Sequence, residues 1–308
     1  MKRSLLIHPE ELSLRWIDRA CALGLDTLAL HPRGGKNAWR TLEEMLVMLD
    51  SPAYRAMLDT AAERGLTIEY ECHAASFLLP RALFDEAPSL FRVGEDGNRC
   101  RELNFCTSSE EALDLVAENA VRLAKRLYRS NHTYYFWMDD VKNGTCFCPD
   151  CQALSESDRQ LIVMNRIVRA LRREIPDAKL AYLAYFGTLE PPKAVRPEEG
   201  IFLEYAPFER DRAASPFADA ETEQKVDALL RFFGKKDAKA LEYWFDNSMF
   251  SNWQKPPKPF SPDNEKIRAE LAEYAEKGFE TLSSFACFFG DDYEALYGAP
   301  DLSAFRNA

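Results

Sequence analysis

The run Thr133-Tyr-Tyr-Phe-Trp-Met-Asp-Asp140 decides how this chain is read. Aromatic and aliphatic residues in unbroken succession suit a parallel strand covered on both faces, and two adjacent acids close it. An amphipathic helix is expected on each side, over Ser108–Arg129 and Asp158–Glu174. The first of these opens with Thr107-Ser-Ser-Glu-Glu111, a cap followed by first-turn acids.

The same alternation extends in both directions. Further strands are expected at Ser4–His8, Thr27–His31, Thr67–Cys72, Lys179–Phe186, Ile201–Tyr205, Ala240–Phe245 and Glu280–Phe288. Helices are expected at Glu11–Leu23, Trp39–Leu49, Ala53–Arg64, Thr222–Phe233 and Pro262–Lys277, the last stopped by Gly278. Eight strand–helix units predict a single (β/α)8 TIM barrel of the α/β class over residues 1–308. Pro191, Pro192 and Pro197 crowd the connection after the fifth strand, so its helix is expected to be reduced. Residues 74–107, after the third strand, form a long irregular stretch of the kind that walls or covers a site.

Composition narrows the function. A net charge of -11 argues against nucleic acid or an anionic membrane as partner. Neither a Gly-x-Gly-x-x-Gly turn nor a phosphate-binding Gly-x-x-x-x-Gly-Lys loop occurs, so no nucleotide cofactor is expected. The opening MKRSLLIHPEELSLRW holds no sustained apolar run, and the eight cysteines read as reduced thiols or metal ligands. A cytoplasmic location is the expectation.

Barrels carry chemistry where strands end. The polar residues there are His8, His31 with Arg33, Glu71 and His73, Asp139 and Asp140, Tyr185, Glu204, and then Tyr243, Trp244, Asp246 and Asn247. Carboxylates with tyrosine, tryptophan and histidine suit a carbohydrate: aromatics stack on sugar faces and acids bond hydroxyls or move protons. Asp139 and Asp140 are the expected catalytic pair, since like charges side by side raise one pKa. The remaining residues, His8 apart, are expected to bind substrate. Trp253, in the aromatic, Pro-rich segment after Asp246, reads equally as a sugar wall or as packing.

Directly after the acids comes Cys146-Phe-Cys-Pro-Asp-Cys151. Three thiols in six positions can reach one tetrahedral Zn²⁺, with Cys106 the expected fourth ligand and Cys72 or His73 the alternatives. Such a zinc is structural. Cys21 and Cys287 read as core.

Trp137-Met-Asp-Asp140, the cysteine cluster, Asn165-Arg166, Ile175-Pro-Asp177, Leu183-Ala-Tyr185, Pro191-Pro192 and Tyr243-Trp-Phe-Asp246 together resemble domain-of-unknown-function family 4838. That resemblance covers roughly residues 90–255 and implies a glycoside-hydrolase-like barrel. Family 67 glucuronidase-type domains often accompany such barrels. The acid pair is also similar to that of family 84 and family 20 N-acetylhexosaminidases. This implies that Asp139 orients an acetamido group and Asp140 is the general acid, with Tyr185, Tyr243 and Asn247 nearby. The cysteine cluster departs from the hexosaminidase pattern. The expected function is a retaining glycosidase on an amino sugar or uronic acid. The alternatives are a non-catalytic carbohydrate-binding barrel and a zinc-dependent hydrolase.

Overall fold

In a computed structural model, which describes residues 1–142 and 144–306, the eight strands close into a barrel in which every neighbouring pair is parallel. They are β1 (Lys2–Ile7), β2 (Thr27–Leu30), β3 (Thr67–His73), β4 (Thr133–Trp137), β5 (Lys179–Ala184), β6 (Ile201–Tyr205), β7 (Lys239–Glu242) and β8 (Thr281–Phe285). Each expected strand forms. The ends move most at β7 and β8, expected to reach Phe245 and Phe288 and ending at Glu242 and Phe285.

Alternation along each strand separates two cores. Leu5, Ile7, Leu28, Tyr70, Cys72, Tyr134, Phe136, Tyr182 and Leu203 face outward and join the large core under the helices. Leu6, Ala29, Tyr135, Trp137, Ala181, Phe202, Leu241 and Phe285 form a second cluster inside the barrel.

The outer layer contains α1 (Leu14–Ala22), α2 (Ala38–Asp50), α3 (Pro52–Glu63), a single turn α4 (Ala75–Leu78), α5 (Glu110–Arg126), another turn α6 (Pro149–Gln152), α7 (Glu156–Glu174), α8 (Ala220–Phe233), a turn α9 (Asn247–Phe250), α10 (Asn264–Lys277) and α11 (Asp291–Tyr297). Ser109 caps α5, its side chain accepting from the Ala112 amide, and Gly278 ends α10 in the left-handed region at φ 103°. After β5 only a 3-10 turn at Phe186–Thr188 remains.

Candidate active site and thiol cluster

A cleft of about 380 Å³ opens at the C-terminal ends of the strands. Seven of the residues expected to act there line it: His31, Arg33, His73, Asp140, Tyr185, Tyr243 and Asp246. Trp253 lines it too and is 64% exposed, so it stands as a wall of the cleft and not as packing.

Asp140 and Asp246 are the carboxylates among the lining residues. The Tyr185 hydroxyl donates to Asp140 Oδ1 at 2.9 Å. Asp246 Oδ1 accepts from the Ser248 amide at 3.1 Å, the Ser248 hydroxyl at 2.5 Å and the Met249 amide at 3.2 Å, so this acid caps α9. Burial nevertheless pushes the Asp246 carboxyl above the usual carboxylate range, these hydrogen bonds opposing it only in part. Tyr243 lies within the electrostatic reach of both acids, stacked on Phe285 with ring centres 5.1 Å apart.

Five of the expected residues are not brought to the mouth. Asp139 is buried and turned into the loop layer. Its Oδ1 accepts from the Ser76 hydroxyl at 2.9 Å and the Ser76 amide at 3.3 Å, and its Oδ2 from the Asn104 amide at 2.5 Å. β4 has already ended at Trp137, and in the turn that follows the two adjacent acids diverge. Glu71 and Glu204 point inward, but one layer below the mouth, fully buried around Lys239. Trp244 faces outward, its indole N–H donating to Glu270 at 2.6 Å in a separate groove beside α10. Asn247 is buried and donates to the Lys258 carbonyl at 3.1 Å.

Residues 74–107 contribute nothing to the lining of this cleft; they brace Asp139 instead. Conversely, His8, Trp137, Phe285 and Phe288 line it without having been assigned to binding. The signal for Trp137 and Phe285 was present in strand alternation, since each lies two residues beyond an inward-facing position.

The second feature is the thiol cluster. Cys106, Cys146, Cys148 and Cys151 are buried, and their sulfurs all lie within 4.8 Å of one another. Cys106 Sγ stands 3.7 Å from Cys148 Sγ and 4.0 Å from Cys151 Sγ. Zn–S bonds of about 2.3 Å in a regular tetrahedron would set sulfurs about 3.8 Å apart, so the four thiols fit one thiophilic ion. Donors surround them: the Val93 amide reaches Cys146 Sγ at 3.2 Å, and the Thr107 hydroxyl lies 3.4 Å from Cys151 Sγ. Hydrogen bonds from Cys146 and Cys151 hold the Cys106 thiol far below its ordinary range. The alternative ligands stand elsewhere, Cys72 in the outer core and His73 at the mouth.

The cluster and the acids are joined through Asn104. Its side chain donates to the Gly144 carbonyl at 2.8 Å and accepts from the Asp139 amide at 2.8 Å, two residues before Cys106. The Arg159 guanidinium, itself buried, donates to the Cys146 carbonyl at 2.9 Å. Whatever fixes the cysteines therefore fixes the turn that presents Asp140.

A family model described as a domain of unknown function, DUF4838, matches residues 37–284. No curated protein matches the chain in sequence. Among solved structures, the fold is similar to a β-galactosidase from the psychrophilic Marinomonas ef1, with a TM-score of 0.54 at 13% identity over 92% of this chain and 54% of that one. It is also similar to endo-glycoceramidase II from Rhodococcus sp., with a TM-score of 0.52 at 13% identity over 92% and 72%. A third likeness is to the pneumococcal exo-β-D-N-acetylglucosaminidase StrH, with its tandem family 20 modules, at a TM-score of 0.51 and 12% identity over 99% and 81%. The chain thus spans about half the length of the β-galactosidase. At these identities the likeness is one of fold.

Proposed function

The chain belongs to the DUF4838 family, and from that premise we propose that its barrel mouth binds a carbohydrate and hydrolyses a glycosidic bond with Asp140 and Asp246 as the two carboxylates. The observation that carries this is a cleft at the strand ends with two acids on its wall and Trp137, Tyr185, Tyr243, Trp253 and Phe285 around them. The glycosidase names of similarly folded proteins support it.

Roles follow from surroundings. Asp246, whose proton is held by burial, is the donor to the glycosidic oxygen as the C–O bond breaks. Asp140, steadied by the Tyr185 hydroxyl, faces the positive charge that develops at the anomeric carbon. Water then completes the hydrolysis. Asp139 is a positioning residue in this reading, since both its oxygens are occupied by loop donors and neither is free for an acetamido group. The barrel works as one unit with a structural zinc on the four cysteines, which holds the Asp139–Asp140 turn. Among the described residues no helix is long and apolar enough to cross a membrane. Eight unpaired cysteines support a reducing, cytoplasmic setting.

The test is a panel of aryl glycosides with good and poor leaving groups. Asp246→Asn should lose roughly 10²–10⁴-fold on poor leaving groups and much less on good ones, as loss of a general acid does. Asp140→Asn should lose activity on both. The activity that needs the Asp246 proton should fall as pH rises through its raised pKa. Binding without turnover by the wild type would favour a carbohydrate-binding barrel instead.

A further inference from the structure

The polar edge of the mouth is a row of three imidazoles, and the backbone fixes which ring nitrogen donates to it. His8 follows β1, His31 follows β2 and His73 closes β3. Each Nδ1 lies against a carbonyl oxygen of the chain leaving the next strand or within it. His8 meets His31 O at 2.9 Å, His31 meets Glu71 O at 2.8 Å, and His73 meets Met138 O at 2.6 Å. A carbonyl oxygen can only accept. Each Nδ1 therefore carries a proton, and on a ring that is neutral the Nε2 is left as a bare lone pair. All three rings line the cleft.

Neighbouring rings hold this row in place. His31 packs against Trp137 at 5.6 Å and edge-on to Phe285 at 5.0 Å, and His73 meets Trp137 at 5.0 Å. Burial lowers the His8 imidazole to about 4 and holds His31 well below its ordinary value, so both remain neutral.

Bare imidazole nitrogens can chelate a metal, donate nothing, or accept hydrogen bonds. Chelation does not fit. Among the described residues the cysteine cluster is the group of three or more ligand atoms that converge within 4.8 Å. The histidine rings stand 6.1 and 5.8 Å apart, centre to centre. Acid catalysis does not fit His8 or His31 either, since on these neutral rings the nitrogen other than Nδ1 has no proton to give.

We propose that His8 and His31, with His73 beside them, form an acceptor row that recognises a ligand edge made of successive hydroxyl donors, the uncharged polyhydroxylated face of a sugar. A carboxylate or sulfate placed against His8 and His31 would set its own lone pairs against theirs, with the nearby Arg33 already paired to Glu10. This deepens the carbohydrate reading of the mouth and rests on it.

The experiment uses a printed array of neutral and acidic oligosaccharides with their single-deoxy analogues. It is probed with Asp140→Asn, which binds without turnover, and with the same protein also carrying His31→Phe. Phenylalanine keeps a ring against Trp137 and Phe285 but offers no acceptor. The expected result is binding of neutral glycans, weakened about tenfold by His31→Phe and about tenfold by removal of one hydroxyl, with no further loss when both are combined. His31→Gln, which restores an acceptor, should recover part of the loss. Two independent losses, or a preference for acidic edges, would overturn the acceptor row while leaving the carbohydrate reading standing. No glycan binding by either protein would remove both. Long-range ¹H–¹⁵N spectra of the free wild-type protein give a separate check: an unprotonated Nδ1 or a protonated Nε2 on His8 or His31 refutes the assignment without a ligand.

Discussion

Lys239→Met is the substitution whose cost the barrel interior determines most directly. The Lys239 ammonium is 1% exposed and lies 2.5 Å from Glu71 Oε1, 3.4 Å from Glu204 Oε1, 3.6 Å from Glu69 Oε2 and 4.1 Å from the centre of the Tyr135 ring. The Trp137 indole donates to Glu204 at 2.7 Å, while Glu71 Oε2 and Glu204 Oε1 are buried without a hydrogen-bond partner among the described residues. Burial pushes both carboxyls up, and the Lys239 charge is the main force pulling them down. Three carboxyls, Glu69, Glu71 and Glu204, thus face one ammonium, whose charge offsets their mutual repulsion. Methionine keeps the length and removes the charge, so one more carboxyl is expected to take up a proton. Keeping one more glutamate protonated at pH 7, well above the free value, costs about 3.5 kcal/mol, and at pH 5 less than about 1. That agrees with about 3–5 kcal/mol for breaking a buried pair. The sign is set by the raised pKa: the stability such a group contributes is complete below the unfolded value and is lost as pH rises. Urea unfolding of wild type and variant at pH 5 and pH 7 measures the difference. A cost equal at the two pH values, or below about 1 kcal/mol at pH 7, would refute the proton-uptake account.

Two further outcomes follow from the loops. Cys106→Ser should abolish stoichiometric zinc in protein purified without chelator and lower the melting temperature. Chelator should reproduce the shift in wild type, and metal analysis with a thermal melt checks both; zinc-free wild type of unchanged stability would count against the site. At Gly34, an added Cβ would stand 2.8 Å from His73 Cδ2 and 3.4 Å from Asp140 Oδ2. Gly34→Ala should therefore displace the His73 ring and weaken glycan binding, at an overpacking cost of roughly 1–3 kcal/mol in urea midpoint assays. Unchanged binding would show that the mouth tolerates that volume.

The sequence by itself determined the barrel, because a parallel strand buried on both faces leaves a local mark, and eight such marks separated by amphipathic helices have few ways to close. It also pointed to the thiol cluster, including Cys106, because cysteines that could share a metal stand out by their spacing and by their placement at loop starts. Asp140, Asp246 and Tyr185 were legible for the same reason, as polar residues where strands end. What only the tertiary structure decided was depth and direction. Glu71 and Glu204 read like Asp140 in one dimension, yet the register of β3 and β6 sets them a layer below the mouth, against a lysine from β7. Asp139 and Asp140 are adjacent in sequence, yet Ser76 and Asn104 come from a distant loop to claim the first and leave the second to the cleft. The three histidines were legible as strand-end residues, but their carbonyl partners on the neighbouring units of the barrel were not. Strand periodicity is a local property and survives in sequence; partner choice across the barrel is set by register and loop closure, and exists only once the sheet has closed.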